Sequence, residues 1–589
     1  MSGKSKFTIG IEFGNQTVTA LLVNVSNGKC VNTATYQYTH GIITEKLPDS
    51  DIELAPGWAL HHPRDYITAL KRTVPKLLKG NAIDADQVIG IGVSFADSTL
   101  IPVTAEGVPL ALLDEFKDDP NAWPKIGRHT AAKEKADRIT ELAADRFETF
   151  LDRYGGRINA EWFFPKVWET YDESSSVYNA ADRLIEGCDW LTWQLTGVES
   201  RSITAAGYKA LWSKAEGFPL ETFFSSLDPG LAGVVEEKMS REISPLGQQV
   251  GKLSEEAANW IKLNPGIPVA TGMMNNQAAV PASGVVEPGN MTILLGTRFV
   301  HMVLSKKEYR VPGMVGMVKD GIISNYTGYE AGQASGGDQF AWFMENAAPD
   351  EYAKEARKRK ISIFELMEEK AAALEPAESG LIALDWWNGN RSILVDEDLS
   401  GLILGFNLKT KPEEIYRALL EASAYGTRKI IETFIASGVP INEIIVTGGA
   451  PMQNKLLLKI LAEVTRMEIK IADCPHSSAM GAAMYATVAA GTENGGYATI
   501  QDASTNMAHL MKKTFVPNNN DKKTYNRLYS EYTLLVLRPD AGGFLQPGHI
   551  DWTGRPADPL RAPQVRLTQI LVLLTIIGSF FGTLRPWRA

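Results

Sequence analysis

The sequence EIIVTGGAPMQNKLLLKILAEVTRMEIKIADCPHSSAMGAAM, residues 443–484, combines an apolar strand, a paired glycine turn and the start of a helix. Gly448 and Gly449 have no Cβ atom, so the backbone at this turn can take a positive φ and lie close to a flat base or a phosphate. A second stretch of small residues, 479–483, can bring another helix equally close. A plain tight connection is the commoner reason for one such turn. The presence of two such stretches, at 448–449 and at 479–483, favours a nucleotide site.

Two other stretches show a strand, a turn and a second strand. Residues 8–25 read TIGIEFGNQTVTALLVNV and turn at Gly14, and residues 291–304 read MTILLGTRFVHMVL and turn at Gly296. Both patterns predict β-hairpins. Two ordinary hairpins in two sheets are one interpretation. The other, which we favour, is a duplicated phosphate-binding core, because each turn can offer backbone N–H groups to one side of a polyphosphate.

Length and composition limit the classes of protein to consider. The 589 residues exceed what one hydrophobic core usually supports and predict at least two large domains. A net charge of −10 argues against a nucleic-acid surface, which needs clustered lysine and arginine. The cysteines, Cys30, Cys188 and Cys474, are far apart and have neither disulfide-framework nor zinc-ligand spacing. The first residues contain no apolar segment of signal-peptide length, so we expect a cytoplasmic protein.

The patterns along the chain predict three parts: residues 1–264, residues 265–535 and residues 536–589. From Pro265 onward a strand and a small-residue helix begin the strand and helix pattern again. The charged residues 351–378 predict a solvated pair of helices in the second part. The third part is rich in arginine and proline and contains an apolar run, residues 567–584, that just reaches the length of a membrane span.

Three interpretations of that apolar run stay open. It is a membrane anchor, a buried terminal helix, or the product of a shifted reading frame. The composition changes abruptly after Leu535, where lysine disappears and arginine supplies all the basic charge. We therefore favour the third interpretation and expect residues 536–589 to lie outside the fold.

Several segments resemble the FGGY carbohydrate kinases, and among them the ribulokinases. The similarity extends from about residue 7 to residue 535, and the DWWNGNRS and YEAGQ blocks are the parts most specific to ribulokinases. The segments that carry the resemblance are GIEFGNQTVTALLV (residues 10–23), GIGVSFADSTLIPV (90–103), RYGGRINAEWFFPKVWE (153–169), AAGYKALW (205–212), GYEAGQASGGDQFAWF (328–343) and the long stretch 384–434 that begins LDWWNGNRS.

The resemblance implies an α/β fold of two actin-like, ribonuclease H-like domains that flank a deep cleft. MgATP is expected mainly on the second domain and the sugar mainly on the first. The implied activity is phosphoryl transfer from ATP to a primary hydroxyl of L-ribulose or a related pentulose, in L-arabinose catabolism. The expected partners are that sugar, ATP and a second copy of the chain in a homodimer.

The resemblance also assigns site residues. Glu12 is the expected Mg²⁺ ligand, directly or through water. The nucleotide-binding positions are Gly14, Asn15, Gln16, Gly296, Thr297, Gly448, Gly449 and Asn454. The sugar-binding positions are Asp97, Lys209, Asn275 and Glu330.

Six positions depart from the family pattern. Glu12 replaces an aspartate, and Lys459 and Glu463 replace a glutamine and an aspartate; the other three positions are Asn275, Ser94 and Arg298. Asn275 occupies the place of the family's general base, an aspartate, and an amide cannot accept the hydroxyl proton. A general base contributes about 10²- to 10⁴-fold in rate. Ser94 replaces another aspartate, although Asp97 restores a charge nearby. Arg298 places a bulky cation where a small hydroxyl normally faces the phosphates.

Two functions therefore lead. The first is a pentulose kinase, which we favour. The second is a catalytically silent relative that binds sugar or nucleotide. A protein attached to a membrane through residues 567–584 is a further alternative.

Overall fold

The computed structural model describes residues 5–79, 83–240, 242–449 and 453–536. The apolar run at 567–584 lies outside these residues. Within these ranges, no helix is both long enough and apolar enough to cross a bilayer. Strands and helices alternate through most of the chain, as expected for an α/β protein.

The described strands are β1 (Phe7–Phe13), β2 (Thr17–Asn24), β3 (Cys30–Gln37), β4 (Val88–Phe95), β5 (Leu100–Val103), β6 (Arg183–Glu186), β7 (Arg201–Ser202), β8 (Ile243–Ser244), β9 (Gln249–Lys252), β10 (Pro268–Ala270), β11 (Met273–Met274), β12 (Gly289–Leu295), β13 (Phe299–Ser305), β14 (Gly316–Lys319), β15 (Thr327–Gln333), β16 (Ile382–Leu384), β17 (Leu402–Leu404), β18 (Ile441–Thr447) and β19 (Ile469–Ile471).

The described helices are α1 (Pro63–Leu77), α2 (Lys133–Asp145), α3 (Phe163–Glu173), α4 (Ser175–Ala180), α5 (Gly187–Thr196), α6 (Ile203–Lys209), α7 (Glu221–Leu227), α8 (Val234–Lys238), α9 (Glu255–Ile261), α10 (Asn275–Ala282), α11 (Gly337–Asn346), α12 (Asp350–Arg359), α13 (Ile363–Ala372), α14 (Pro412–Ala436), α15 (Lys455–Thr465), α16 (Ser477–Ala490), α17 (Ile500–Met507) and α18 (Lys522–Val536). Helices α12 and α13 confirm the predicted charged helical pair.

Two large sheets repeat one arrangement. In the first, the order is β3-β2-β1-β4-β10-β9, with β11 also paired to β4. In the second, the order is β14-β15-β13-β12-β18-β19. Each sheet contains an antiparallel hairpin, β1–β2 or β12–β13, whose first strand also pairs in parallel with a later strand, β4 or β18. Both predicted hairpins are confirmed. The first sheet lies in one buried apolar core and the second sheet mainly in another, although Val300, Met302 and Leu304 of β13 pack in the first core.

The first sheet extends beyond the boundary predicted after residue 264. Strands β10 and β11 belong to it, and α10 follows directly. The second sheet begins with β12. We therefore propose that the two units meet between α10 and β12, in residues 283–288, because a strand is held by the sheet with which it forms hydrogen bonds.

Helix α16 packs on the first sheet through backbone contacts that only glycine allows. A Cβ atom at Gly10 would lie 1.8 Å from the carbonyl oxygen of Ala479, and one at Gly92 would lie 2.0 Å from that of Ala482. The small residues at 479–483 do bring a helix close to another backbone, as the sequence indicates. That backbone belongs to the first sheet. Residues 479–483 therefore pack a helix from the second half of the chain against the sheet that contains β1 and β4.

Replacing Gly92 by alanine should lower the free energy of unfolding by about 3 kcal/mol, because the new methyl group forces α16 away from β4. Urea denaturation followed by circular dichroism measures the change. The matched control is Gly41→Ala, where φ is +63° and no atom in the described part of the chain lies within 4 Å of the added methyl. That control should cost about 1 kcal/mol of backbone strain. Equal effects at both positions would contradict the packing described here.

Candidate active site

The four predicted sugar-binding residues come from four different parts of the fold. Asp97 follows β4, Lys209 ends α6, Asn275 begins α10 and Glu330 lies within β15. Lys209 Nζ is 3.0 Å from Glu330 Oε1 and 3.1 Å from Glu330 Oε2. Both side chains are 1% exposed, so this is a buried ion pair that links the two halves of the chain.

The first turn of α10 ties the other two residues to this pair. Asn276 Nδ2 donates a hydrogen bond of 2.6 Å to Asp97 Oδ2. Gln277 Nε2 donates one of 3.0 Å to Glu330 Oε2. Asn275 Nδ2 donates one of 3.0 Å to the backbone carbonyl of Phe13 at the end of β1. The structure therefore brings all four predicted sugar residues into one cluster around α10.

A second ionic cluster adjoins the first. Arg298 makes a two-pronged ion pair with Glu161, one arm of which is 2.9 Å long. Arg391 Nη1 also donates to Glu161, at 2.9 Å, and Arg391 Nη2 lies 3.4 Å from Glu330 Oε1. The guanidinium of Arg298 is thus held by a carboxylate in this conformation, and Arg391 connects the two clusters.

The sequence patterns do not single out Glu161, Gln277 and Arg391, which the structure places in this site. Glu161 and Arg391 lie in the INAEWF and NGNRS parts of the segments that carry the resemblance, yet nothing in their spacing indicates that they meet. Gln277 comes two residues after Asn275, which places it on the same helix turn. That spacing is the one signal with which it could have been found.

The ionisable groups of the site are shifted in opposite directions. Burial, together with the charge of Glu330, raises the pKa of Asp97 to about 6 against the attraction of Lys209. Burial also opposes ionisation of Glu161, but the charges of Arg298 and Arg391 outweigh it and lower the pKa of Glu161 to about 2. The pKa of Glu330 is lowered in the same way, mainly by Lys209.

The predicted magnesium ligand, Glu12, lies near the end of β1 and is opposite Ser94 of β4. Burial raises its pKa to about 7, against hydrogen bonds from the Ser478 side chain and the Ala479 backbone. Among the described residues, no group of three His, Cys, Asp or Glu side chains forms a metal cage. A single carboxylate fits Mg²⁺ in a kinase, because the ion takes its other ligands from water and phosphate.

In the two turns predicted to bind phosphate, some backbone N–H and carbonyl groups already form hydrogen bonds within the protein. Gly14 N–H donates to the carbonyl of Thr17 at 2.8 Å, and Gly296 N–H donates to that of Arg298 at 3.1 Å. The carbonyls of Asn15 and Gln16 accept from His61 Nε2 and Tyr38 N–H. The carbonyls of Gly296 and Thr297 accept from N–H groups at the start of α11. Phosphate contacts at these turns stay a prediction.

The two glycines after β18 differ in how closely their backbone is packed. Gly448 has a φ of +103°, and a Cβ atom there would lie 2.7 Å from the carbonyl oxygen of Leu295. At Gly449 a Cβ atom would meet no atom of the described residues within 4 Å. Asn454 caps α15 by accepting from Leu457 N–H at 2.8 Å and donates to the Tyr416 hydroxyl at 2.9 Å. A nucleotide contact of Gly449 or Asn454 stays a prediction.

Several buried polar atoms around α10 have no hydrogen-bond partner within the described part of the chain. Buried polar groups are normally paired, so a cluster of unpaired ones indicates a polar ligand. A polyol offers hydroxyl groups that donate and accept at these atoms. The atoms are Ser94 Oγ, Asp97 Oδ1, Trp162 Nε1, Asn275 Oδ1 and Gln277 Oε1.

Comparisons with known proteins agree with this geometry. Residues 7–281 match the N-terminal domain of the FGGY family of carbohydrate kinases, and residues 291–490 match its C-terminal domain. The chain is 48% identical over 531 residues to a ribulokinase of Halalkalibacterium halodurans, covering 90% of this chain and 94% of that protein. It is 42% identical over 534 residues to a ribulokinase of Mycolicibacterium smegmatis, covering 90% and 94%.

Solved structures show the fold. A xylulose kinase from Rhodospirillum rubrum superposes with a TM-score of 0.72 at 20% identity, covering 91% of this chain and 99% of that one. Plasmodium falciparum glycerol kinase with ADP superposes with a TM-score of 0.70 at 17% identity, covering 91% and 98%. The predicted fold of two actin-like, ribonuclease H-like domains is confirmed. The chain belongs to the FGGY family of carbohydrate kinases.

Proposed function

We propose that this chain transfers the γ-phosphoryl group of ATP to the O5 hydroxyl of L-ribulose. The ribulokinases to which it is 42–48% identical over most of their length support that substrate. The observation that carries the proposal is the buried pair of Lys209 and Glu330, surrounded by polar atoms without partners. Charge-assisted hydrogen bonds from such a pair hold sugar hydroxyls about twice as strongly as neutral ones do.

Each part of the cluster has a separate task in this reaction. The ammonium of Lys209 donates to sugar oxygens, and the carboxylate of Glu330 keeps that ammonium in place. Asn275 Oδ1 accepts from a sugar hydroxyl and orients it, because its Nδ2 is fixed on Phe13. Enclosure of the site between the two domains excludes water and so limits idle hydrolysis of ATP. The relatives do not favour the catalytically silent alternative.

Glu12 would hold Mg²⁺, directly or through water, at the phosphate end of the cleft. When bound, the ion neutralises charge on the β- and γ-phosphate oxygens. Because burial raises the pKa of Glu12 to about 7, the carboxyl group is increasingly protonated below that pH. The apparent affinity for Mg²⁺ should therefore fall as the pH drops through 7. We also propose that the protein is cytoplasmic and forms a homodimer. Light scattering measures the oligomeric state.

The proposed activity is tested by following ADP release from MgATP with L-ribulose, D-ribulose, D-xylulose or glycerol, and with no sugar. We expect L-ribulose to give the highest kcat/KM, with turnover in the ordinary kinase range of about 1–100 s⁻¹ or below it. ADP release that is independent of sugar, or a clear preference for D-xylulose or glycerol, would contradict the proposed substrate. Lys117→Met, a change at an exposed lysine 3.0 Å from Asp114, is the control and should leave the rate unchanged.

A further inference from the structure

We propose that Asp97 Oδ1 accepts the proton of the attacking sugar hydroxyl and so performs the task that Asn275 cannot. This inference rests on the proposed function. In the reaction, the bond from the sugar oxygen to the γ-phosphorus forms as the bond from that phosphorus to the β-phosphate oxygen breaks. ADP leaves with that oxygen, and the hydroxyl proton must go to a base. Asp97 takes the proton and later releases it to solvent.

Asn275 is held in an orientation that excludes it as the base. Its Nδ2 donates to the carbonyl of Phe13 at 3.0 Å, which leaves Oδ1 as a buried acceptor without a partner among the described residues. An amide oxygen accepts a hydrogen bond but does not take a proton at neutral pH. The next residue, Asn276, instead binds a carboxylate, because its Nδ2 donates to Asp97 Oδ2 at 2.6 Å. The same helix turn thus orients the sugar and positions Asp97.

Asp97 has one anchored oxygen and one unanchored oxygen. Oδ2 accepts from Asn276, whereas Oδ1 is buried and has no partner among the residues that the structure describes. The backbone around it is fixed. Lys166 Nζ donates to the carbonyl of the next residue, Ser98, and also, at 2.9 Å, to that of Ile126. Gly127 lets that second segment approach, since a Cβ atom there would lie 2.3 Å from the carbonyl oxygen of Asp97.

The charges that face Asp97 leave it ionised yet basic at neutral pH. Lys209 of α6, Arg391 and Arg298 attract its proton-free form, and Glu330 of β15 opposes it. Glu186, at the end of β6, also faces it. With burial added, the pKa of Asp97 lies at about 6. A base works best when its pKa lies near the working pH.

The neighbouring carboxylates do not meet these requirements. Both oxygens of Glu330 accept hydrogen bonds, from Lys209 and Gln277. Glu161 is held by two arginines, and its pKa of about 2 makes it a poor proton acceptor. The pKa of Glu186 is raised to about 8, mainly by burial, so its carboxyl group is already protonated at neutral pH. Within the described cluster, Asp97 alone combines an unbonded oxygen with a suitable pKa.

The experiment compares wild type, Asp97→Asn, Asn275→Asp and the double variant with both changes. Readouts are kcat, KM and the pH profile with L-ribulose, and L-ribulose binding by calorimetry. Asp97→Asn should lower kcat by about 10²- to 10⁴-fold while sugar binding changes by less than about tenfold. With Mg²⁺ saturating at every pH, so that protonation of Glu12 does not limit the rate, wild-type kcat/KM should fall below about pH 6, and this limb should disappear in Asp97→Asn. The double variant should regain activity through the restored aspartate at 275.

Three outcomes would overturn the inference. The first is an Asp97→Asn variant whose kcat stays within about threefold of wild type, since a base contributes at least 10²-fold. The second is loss of sugar binding with unchanged kcat, which makes Asp97 a binding residue. The third is an inactive wild type. If the Asn275→Asp variant is then active, only the assignment of Asp97 fails. If the Asn275→Asp variant is also inactive, the proposed function fails as well. Asp118→Asn, at an exposed position, is the control.

Discussion

Replacing Glu330 by glutamine should reduce L-ribulose-dependent ADP formation by at least about 10²-fold and destabilise the fold by about 3–5 kcal/mol. Glu330 is 1% exposed and accepts from Lys209, Gln277 and Arg391. Without its charge, the ammonium of Lys209 remains buried without its main counterion. Removing one member of a buried pair is costly because the other stays desolvated. Steady-state kinetics and urea denaturation measure the two effects.

A double variant separates stability from function. Lys209→Met combined with Glu330→Leu removes both charges and fills their volume with apolar atoms. Such replacements are often neutral for stability, so the double variant should lose less stability than Glu330→Gln, even though Gln277 Nε2 also loses its acceptor. It should still fail to bind or phosphorylate L-ribulose. A Glu330→Gln variant that keeps wild-type turnover and stability would contradict the assignment of the pair to the sugar site.

Replacing Glu161 by glutamine should weaken the connection between the two halves of the chain and lower kcat/KM by about 10²-fold, a loss of about 3 kcal/mol. Glu161 precedes α3 in the first half, whereas Arg298 and Arg391 belong to the second. The Glu161 side chain is 8% exposed and that of Arg391 is 9% exposed, so this ion pair is largely shielded from solvent, whereas the Arg298 side chain is 31% exposed. Hydrogen exchange should show faster opening around residues 298 and 391 in the variant.

The pH dependence of stability follows from the same ion pairs. A pKa of Glu161 lowered from 4.5 to about 2 corresponds to about 3 kcal/mol of stability, present above pH 4.5 and lost as the pH falls toward 2. In Glu161→Gln this part of the acid dependence should vanish. The control is Glu141→Gln, which breaks an exposed pair with Arg138 and should change stability by less than about 1 kcal/mol. Equal effects of both substitutions would contradict a special role for Glu161.

The sequence predicted those parts of the fold and site that have a local pattern or a family motif. The hairpins at 8–25 and 291–304 were visible because apolar runs and turns alternate within short segments. Asp97, Lys209, Asn275 and Glu330 followed from the resemblance, and the structure brings them together. The fold class followed in the same way, since periodicity alone indicates strands and helices but does not specify their arrangement.

The missed residues are those whose partners are distant in the chain. Glu161 meets Arg391 and Arg298 only because the two domains face each other, and no spacing rule connects positions so far apart. The small residues at 479–483 indicated that a helix lies close to another backbone. They did not indicate that this backbone belongs to the first sheet. The role proposed for Asp97 likewise depends on which of its oxygens is bonded. Composition and spacing carry no such information.

Transfer of phosphate from ATP to O5 of L-ribulose is tested most directly by identifying the product with ³¹P and ¹³C NMR, using wild-type enzyme, MgATP and L-ribulose. We expect a phosphate monoester on the CH₂ carbon next to a hydroxyl-bearing carbon, which is C5, formed in equal amount with ADP. Inorganic phosphate in place of a phosphosugar, or phosphate on the CH₂ next to the carbonyl, would contradict it.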